Sequence, residues 1–128
     1  MEVENVSFVG HSLGGGLAST ASGASGLSAQ TFNAAGLSKS TLSGLGNAKP
    51  SLVNATCVVA DILSRLQDHS PMRDAYGVRR AIGAAESAGS IPGARNVELH
   101  LTGAVHDALK KEQRDIEVKK RQHKCVWK

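Results

Sequence analysis

The run Val6-Ser7-Phe8-Val9-Gly10-His11-Ser12-Leu13-Gly14-Gly15 constrains this chain more than any other segment. Residues 3–9 are short, β-rich and closed by a glycine, so they read as a strand. Gly10 to Gly16 reads as a turn, and Leu17 to about Gly23 as a helix of small residues. A Gly-x-Ser-x-Gly sequence between a strand and a helix sets its serine on a sharp, strained bend. Backbone there runs close to backbone, so small flanking residues are needed. The following helix turns its dipole and its unpaired N–H groups toward the same bend. A glycine-rich strand–helix turn also suits a phosphate, but a phosphate loop needs more glycines before the helix or a lysine within it, and neither is present. Ser12 is therefore the candidate nucleophile, and the backbone N–H of Leu13 a candidate oxyanion donor.

The rest of the chain alternates in the same way. Residues 29–34, 53–59 and 76–82 read as strands, and Val97 to Leu101 is apolar and β-prone. Residues 38–46 read as a short helix capped by Ser38 or Ser40. Residues 62–67 fit a turn of helix or an extended loop, and 83–94, rich in Gly, Ala, Ser and Pro, an exposed loop. From Val105 to Lys124 the pattern is helical and charged, with Val105, Ala108, Leu109, Ile116 and Val118 as a thin apolar stripe. Strands alternating with helices predict an α/β fold with a mainly parallel sheet and flanking helices.

Length and composition set the bounds. A chain of 128 residues makes one domain, and with 3% aromatic residues its core must be built from Ala, Val, Leu and Ile. No stretch of 18 apolar residues exists, which excludes a helical membrane span, and the acidic start (Glu2, Glu4) has no signal-peptide layout. Cys57 and Cys125 stand at no metal-ligand or redox spacing, and Cys57 reads as a small buried hydrophobe. Residues 109–128 hold eight Lys/Arg against three acids, so the net charge of +4 resides in the tail and the first 108 residues are near neutral. The chain thus divides into residues 1–108 and a basic helical tail, 109–128. The plain reading of that tail is a solvated helix end, and a peripheral contact with an anionic membrane surface is the alternative. With Trp127 as its lone aromatic, it gives no reason to expect nucleic acid.

A serine hydroxyl needs a base within hydrogen-bond reach and an acid to orient that base. Around this type of turn the order along the chain is Ser, then Asp or Glu, then His. The acid belongs at a strand end, and Val58-Val59-Ala60-Asp61 runs straight from a strand into a carboxylate. Asp61 is the candidate acid; Asp68 and Asp74, deeper in polar loop sequence, are its competitors. His69, His100, His106 and His123 follow it. His69 is close to Asp61, His100 alternates within an apparent strand, and His123 lies in the charged tail. His106 follows a Gly-Ala loop at the start of a helix and is the favoured base. His11, inside the turn, reads as a buttress.

Gly10-His11-Ser12-Leu13-Gly14-Gly15 resembles the nucleophile elbow of the class 3 lipases, α/β-hydrolases that cleave carboxylic esters of acylglycerols and phospholipids. Gly16-Leu17-Ala18 and the later Ala29-Gln30-Thr31-Phe32-Asn33-Ala34-Ala35-Gly36-Leu37 are similar to bacterial lipase-like domains found at the ends of larger secreted or toxin proteins. The resemblance implies a partial α/β-hydrolase fold, a Ser-Asp-His triad working through an acyl-enzyme, a lipid or other ester substrate, and no metal or organic cofactor. The family acid lies in an Asp-x-Val-Pro segment; Asp61-Ile62-Leu63-Ser64 has the Asp and an apolar third position but no Pro. The family histidine precedes a C-terminal helix, which falls on His106. The likeness is specific over residues 3–37, loose over 53–76 and weak beyond.

Full-length members of that family place several strands, and a loop with the second oxyanion donor, ahead of the elbow. Only eleven residues precede Ser12. The expectation is the C-terminal part of a larger hydrolase, or a truncated gene product, with an open sheet edge and about half an oxyanion hole. Losing one such donor costs roughly 10²–10³ in rate, and an unpaired edge invites self-association. The rival to an ester hydrolase is therefore a catalytically incomplete fragment that acts as a binding or assembly piece. A thioesterase or peptidase with the same triad is a third reading. Acyl-chain preference is not readable, and location stays open between the cytoplasm and export within a larger protein.

Overall fold

The computed structural model describes residues 6–46, 49–59, 74–85 and 99–125, with side chains for all of these except 51 and 121–125. Four strands form one sheet in the order β1-β2-β3-β4: β1 (Ser7–His11), β2 (Ser28–Phe32), β3 (Val53–Val58) and β4 (Val78–Ile82). Every neighbouring pair is parallel. Helix α1 (Leu13–Ser25) links β1 to β2. The short α2 (Lys39–Gly44) and a 3₁₀ turn (Pro50–Leu52) lead into β3, and α3 (Thr102–Cys125) closes the chain. The architecture is a partial α/β fold, a parallel sheet with flanking helices, as the alternating pattern predicts.

Register decides which face each helix covers, because paired residues of parallel strands point the same way. Gly10, Thr31 and Ala55 share one face, with Phe8, Ala29 and Val53 beside them. Helix α1 lies on that face: a Cβ on Gly10 would come within 2.2 Å of the Gly14 carbonyl oxygen. The opposite face carries Phe32, Thr56, Val58, Arg80 and Ile82. Val58 and Ile82 pack there with Leu99 and with Val105 and Ala108 of α3, and Phe32 and Leu109 flank this cluster. Arg80 grips the Glu112 carboxylate with both contacts at 2.9 Å. Exposed as it is, that pair contributes at most about 1 kcal/mol. Helix α3 thus runs unbroken past residue 108, and Leu109 and Glu112 both touch the sheet side.

Three of the boundaries that differ from the sequence reading bear on the site. Helix α1 begins at Leu13, not at Leu17, so Gly14, Gly15 and Gly16 lie inside it. Its small residues serve close packing: a Cβ on Gly15 would stand 2.5 Å from the Ala34 Cβ. β2 stops at Phe32 because Asn33 turns left-handed, with φ 43°. Leu99 and His100, placed in a strand by their apolar neighbours, form a turn directly ahead of α3. Helix α2 starts at the expected cap, since the Ser38 hydroxyl accepts from the Thr41 N–H at 3.0 Å.

Candidate active site

Ser12 occupies the single position between β1 and α1. Its backbone sits at φ 54°, ψ −123°, a region that residues with a Cβ rarely enter. Such a conformation costs on the order of 1–3 kcal/mol and persists only where neighbours over-determine it. They do. The Ser12 N–H donates to the Phe32 carbonyl at 3.1 Å, and the Ser12 carbonyl accepts from the N–H groups of Gly15, Gly16 and Ala35 at 3.0, 3.3 and 2.9 Å. The segment after β2 therefore grips the serine backbone from the side. No backbone hydrogen bond among the described residues uses the Leu13 N–H, which stands at the open first turn of α1.

The Ser12 Oγ meets a histidine ring. Its partner is His100, whose Nε2 lies 2.7 Å away. The favoured His106 is not brought to Ser12: it projects from the first turns of α3, 64% exposed, with Nδ1 at 3.4 Å from the Asp107 carboxylate. The reason is the turn at residues 99–100. Were residues 97–101 a strand, the His100 backbone would be taken up in a ladder. Instead the carbonyls of Leu99 and His100 receive side-chain donors, and that turn swings the His100 ring over the end of β1.

Two side chains supply those donors. His11, the residue before the nucleophile, directs Nε2 at the His100 carbonyl. A carbonyl can only accept, so the His11 proton sits on Nε2. The two imidazoles are 5.1 Å apart between centroids, tilted by 43°. Asn33, 1% exposed, donates from Nδ2 to the Leu99 carbonyl at 3.0 Å and to the His100 carbonyl at 3.5 Å. Its Oδ1 accepts from the Val58 N–H at 2.8 Å, and its own N–H donates to the Thr56 carbonyl at 2.9 Å. Sequence reasoning passed over Asn33. The available signal was an Asn placed directly after a strand, where it tolerates left-handed backbone and offers both a donor and an acceptor.

The candidate acid Asp61 lies outside the described residues, as do Asp68 and His69, and the His123 side chain. Asp74 pairs with Arg79 at 3.3 Å on the surface. Leu13, which follows Ser12, and Leu17, one turn further along α1, are 71% and 65% exposed, and Leu101 next to His100 is also exposed. Among the described residues no helix is long and apolar enough to cross a membrane.

A family model described as phospholipase-like, the Tle-like phospholipase domain, matches residues 2–114. The match is to a lipase- and phospholipase-like family and does not single out the class 3 lipases. No curated protein matches the chain.

Proposed function

The chain belongs to the Tle-like phospholipase domain family, and on that premise we propose that it hydrolyses carboxylic esters of lipids through an acyl-enzyme on Ser12. The observation that carries the reading is the 2.7 Å approach of His100 Nε2 to a serine Oγ held in strained backbone between a strand and a helix. With Nε2 unprotonated, His100 accepts the Oγ proton as Oγ attacks the ester carbonyl. The tetrahedral oxyanion takes the Leu13 N–H, reinforced by the α1 dipole. His100 then gives its proton to the leaving alcohol, and the acyl group stays on Ser12. A water, losing a proton to His100, attacks the acyl carbon; the bond to Oγ breaks, the fatty acid leaves, and His100 returns the proton to the Ser12 Oγ. Asp61, at the end of β3 in sequence, is the acid proposed to orient His100.

His100 takes the role of base in this scheme rather than His106, because geometry precedes any other criterion for a general base. The exposed Leu13 and Leu17 favour a lipid over a polar ester, since acyl chains bind apolar surface. One observation favours a second reading, an assembly piece: β1 lies at the edge of the described sheet, and Val9 on it is 70% exposed.

The test uses the full chain, a fluorophosphonate probe and a nitrophenyl ester. Labelling located at Ser12 by mass spectrometry, with ester hydrolysis lost in Ser12→Ala, is the expected result. A folded chain that resists the probe and runs as an oligomer in light scattering supports the assembly reading instead.

A further inference from the structure

The proposed chemistry uses the Ser12 hydroxyl and the His100 ring, and it gives no role to two polar side chains close by, the His11 imidazole and the Asn33 amide. We propose that His11 and Asn33 form a two-donor clip on the backbone of residues 99–100, and that this clip sets the distance from the base to the nucleophile. Both are positioning residues, since they act through His100. The inference rests on the reading of His100 as the base.

The His100 ring can reach Ser12 only if its own backbone is held, and the turn at 99–100 belongs to no strand pair of the described sheet. The buried Leu99 side chain anchors one side of that turn in the core, and two side-chain donors that hold its carbonyls come from the ends of two strands. His11 closes β1 and is joined covalently to Ser12. Asn33 follows β2, and residues beside it bind the nucleophile: Phe32 accepts the Ser12 N–H, and Ala35 donates to the Ser12 carbonyl. Nucleophile and base are thereby referenced to the same short pieces of backbone.

The residue types suit this role. A donor at position 11 must reach as far as an imidazole Nε2, and it must be held in the tautomer that the His100 carbonyl selects. Asn33 is used at both ends, its Oδ1 on Val58 and its Nδ2 on the turn, in a left-handed conformation that Asn and Asp both tolerate. A merely structural asparagine or histidine would show its loss in stability. A positioning pair shows it in the rate of the Ser12–His100 reaction, where a misplacement of about 1 Å lowers the rate on the order of 10²-fold.

Matched variants of the full chain separate these cases. His11→Gln keeps an amide donor near the Nε2 position; His11→Asn carries the same amide one bond shorter. Asn33→Asp keeps the acceptor for Val58 and removes the donor to the turn. Each is compared with wild type and His100→Ala for fluorophosphonate labelling rate, kcat and KM on a nitrophenyl ester, and thermal midpoint. The expected result is a fall of roughly tenfold to a hundredfold in labelling rate and kcat for His11→Asn and Asn33→Asp. KM should hold, and His11→Gln should stay within a few-fold of wild type. If His11→Asn and Asn33→Asp label as fast as wild type while His100→Ala does not, the clip is wrong and the base stands. If wild type and His100→Ala label alike, the reading of His100 falls, and the clip's effect on rate falls with it. A long-range ¹H–¹⁵N spectrum decides the clip without activity: a His11 ring without a proton on Nε2 overturns it.

Discussion

The Nε2 of His100 lies 2.7 Å from the Oγ of Ser12, and 88 positions of sequence separate the two residues. The contact is made by a turn and a bend, not by regular secondary structure. Small shifts of either backbone therefore break it, and substitutions around the two residues should divide sharply in effect.

The first division is between two histidines. With His100 as the proposed base, His100→Ala should lower kcat on an ester by about 10³-fold or more, the loss typical of removing a catalytic base. His106→Ala removes an exposed ring whose described partner is Asp107, and its kcat should remain within about twofold of wild type, as for surface changes in general. Steady-state kinetics on both variants gives the comparison.

Two glycines flank Ser12 in the motif, but they do different work. A Cβ at position 10 would strike the backbone of Gly14 and Gly15, whereas a Cβ at position 14 meets nothing within 4 Å. Gly10→Ala should destabilise the chain by about 1–3 kcal/mol, because backbone cannot give way cheaply. Gly14→Ala, inside a helix, should change stability by no more than about 1 kcal/mol, and in the stabilising direction. Urea unfolding midpoints measure the difference.

Stability and chemistry pull against each other at Ser12. The φ of 54° and ψ of −123° suit glycine, not serine. Ser12→Gly should release strain of about 1–3 kcal/mol and return about 0.5–1 kcal/mol of it to backbone entropy. A chain more stable by about 1 kcal/mol and blind to a fluorophosphonate is the expected outcome. A lower melting temperature in Ser12→Gly would count against stored strain.

Thr31, in β2 and fully buried, has no hydrogen-bond partner for its Oγ1 among the described residues. Its hydroxyl is out of reach of bulk water and finds no replacement partner among the described residues. Thr31→Val keeps the shape and the β-branch while deleting that oxygen, and should stabilise the protein by about 1–2 kcal/mol. Calorimetry that finds Thr31→Val less stable would point to a bonded hydroxyl.

Much of the fold was legible because its signals are local. Short stretches of apolar and β-prone residues bounded by glycine and polar residues marked β1 to β4, and their alternation with helical stretches predicted mainly parallel pairing. The position of Ser12 between a strand and a helix was legible for the same reason. Boundaries were less so. Gly14 to Gly16 looked like turn residues, and the close approach of Ala34 to Gly15 and of Ala35 to Gly16 explains why glycines belong at those two positions in the first turns of α1.

The sequence by itself determined an α/β chain with a strained serine at one strand–helix junction, since five consecutive residues and their flanks contain that information. It did not determine which histidine the serine meets. Helix position favoured His106, and apolar neighbours hid His100 in an apparent strand. Tertiary structure decided for His100 through the buried amide of Asn33 and the ring of His11, which bond the carbonyls of residues 99 and 100 in place of a ladder. Those bonds span 66 to 89 positions of chain. No local periodicity encodes them, because they exist only once the sheet has brought the ends of β1 and β2 beneath the turn that leads into α3.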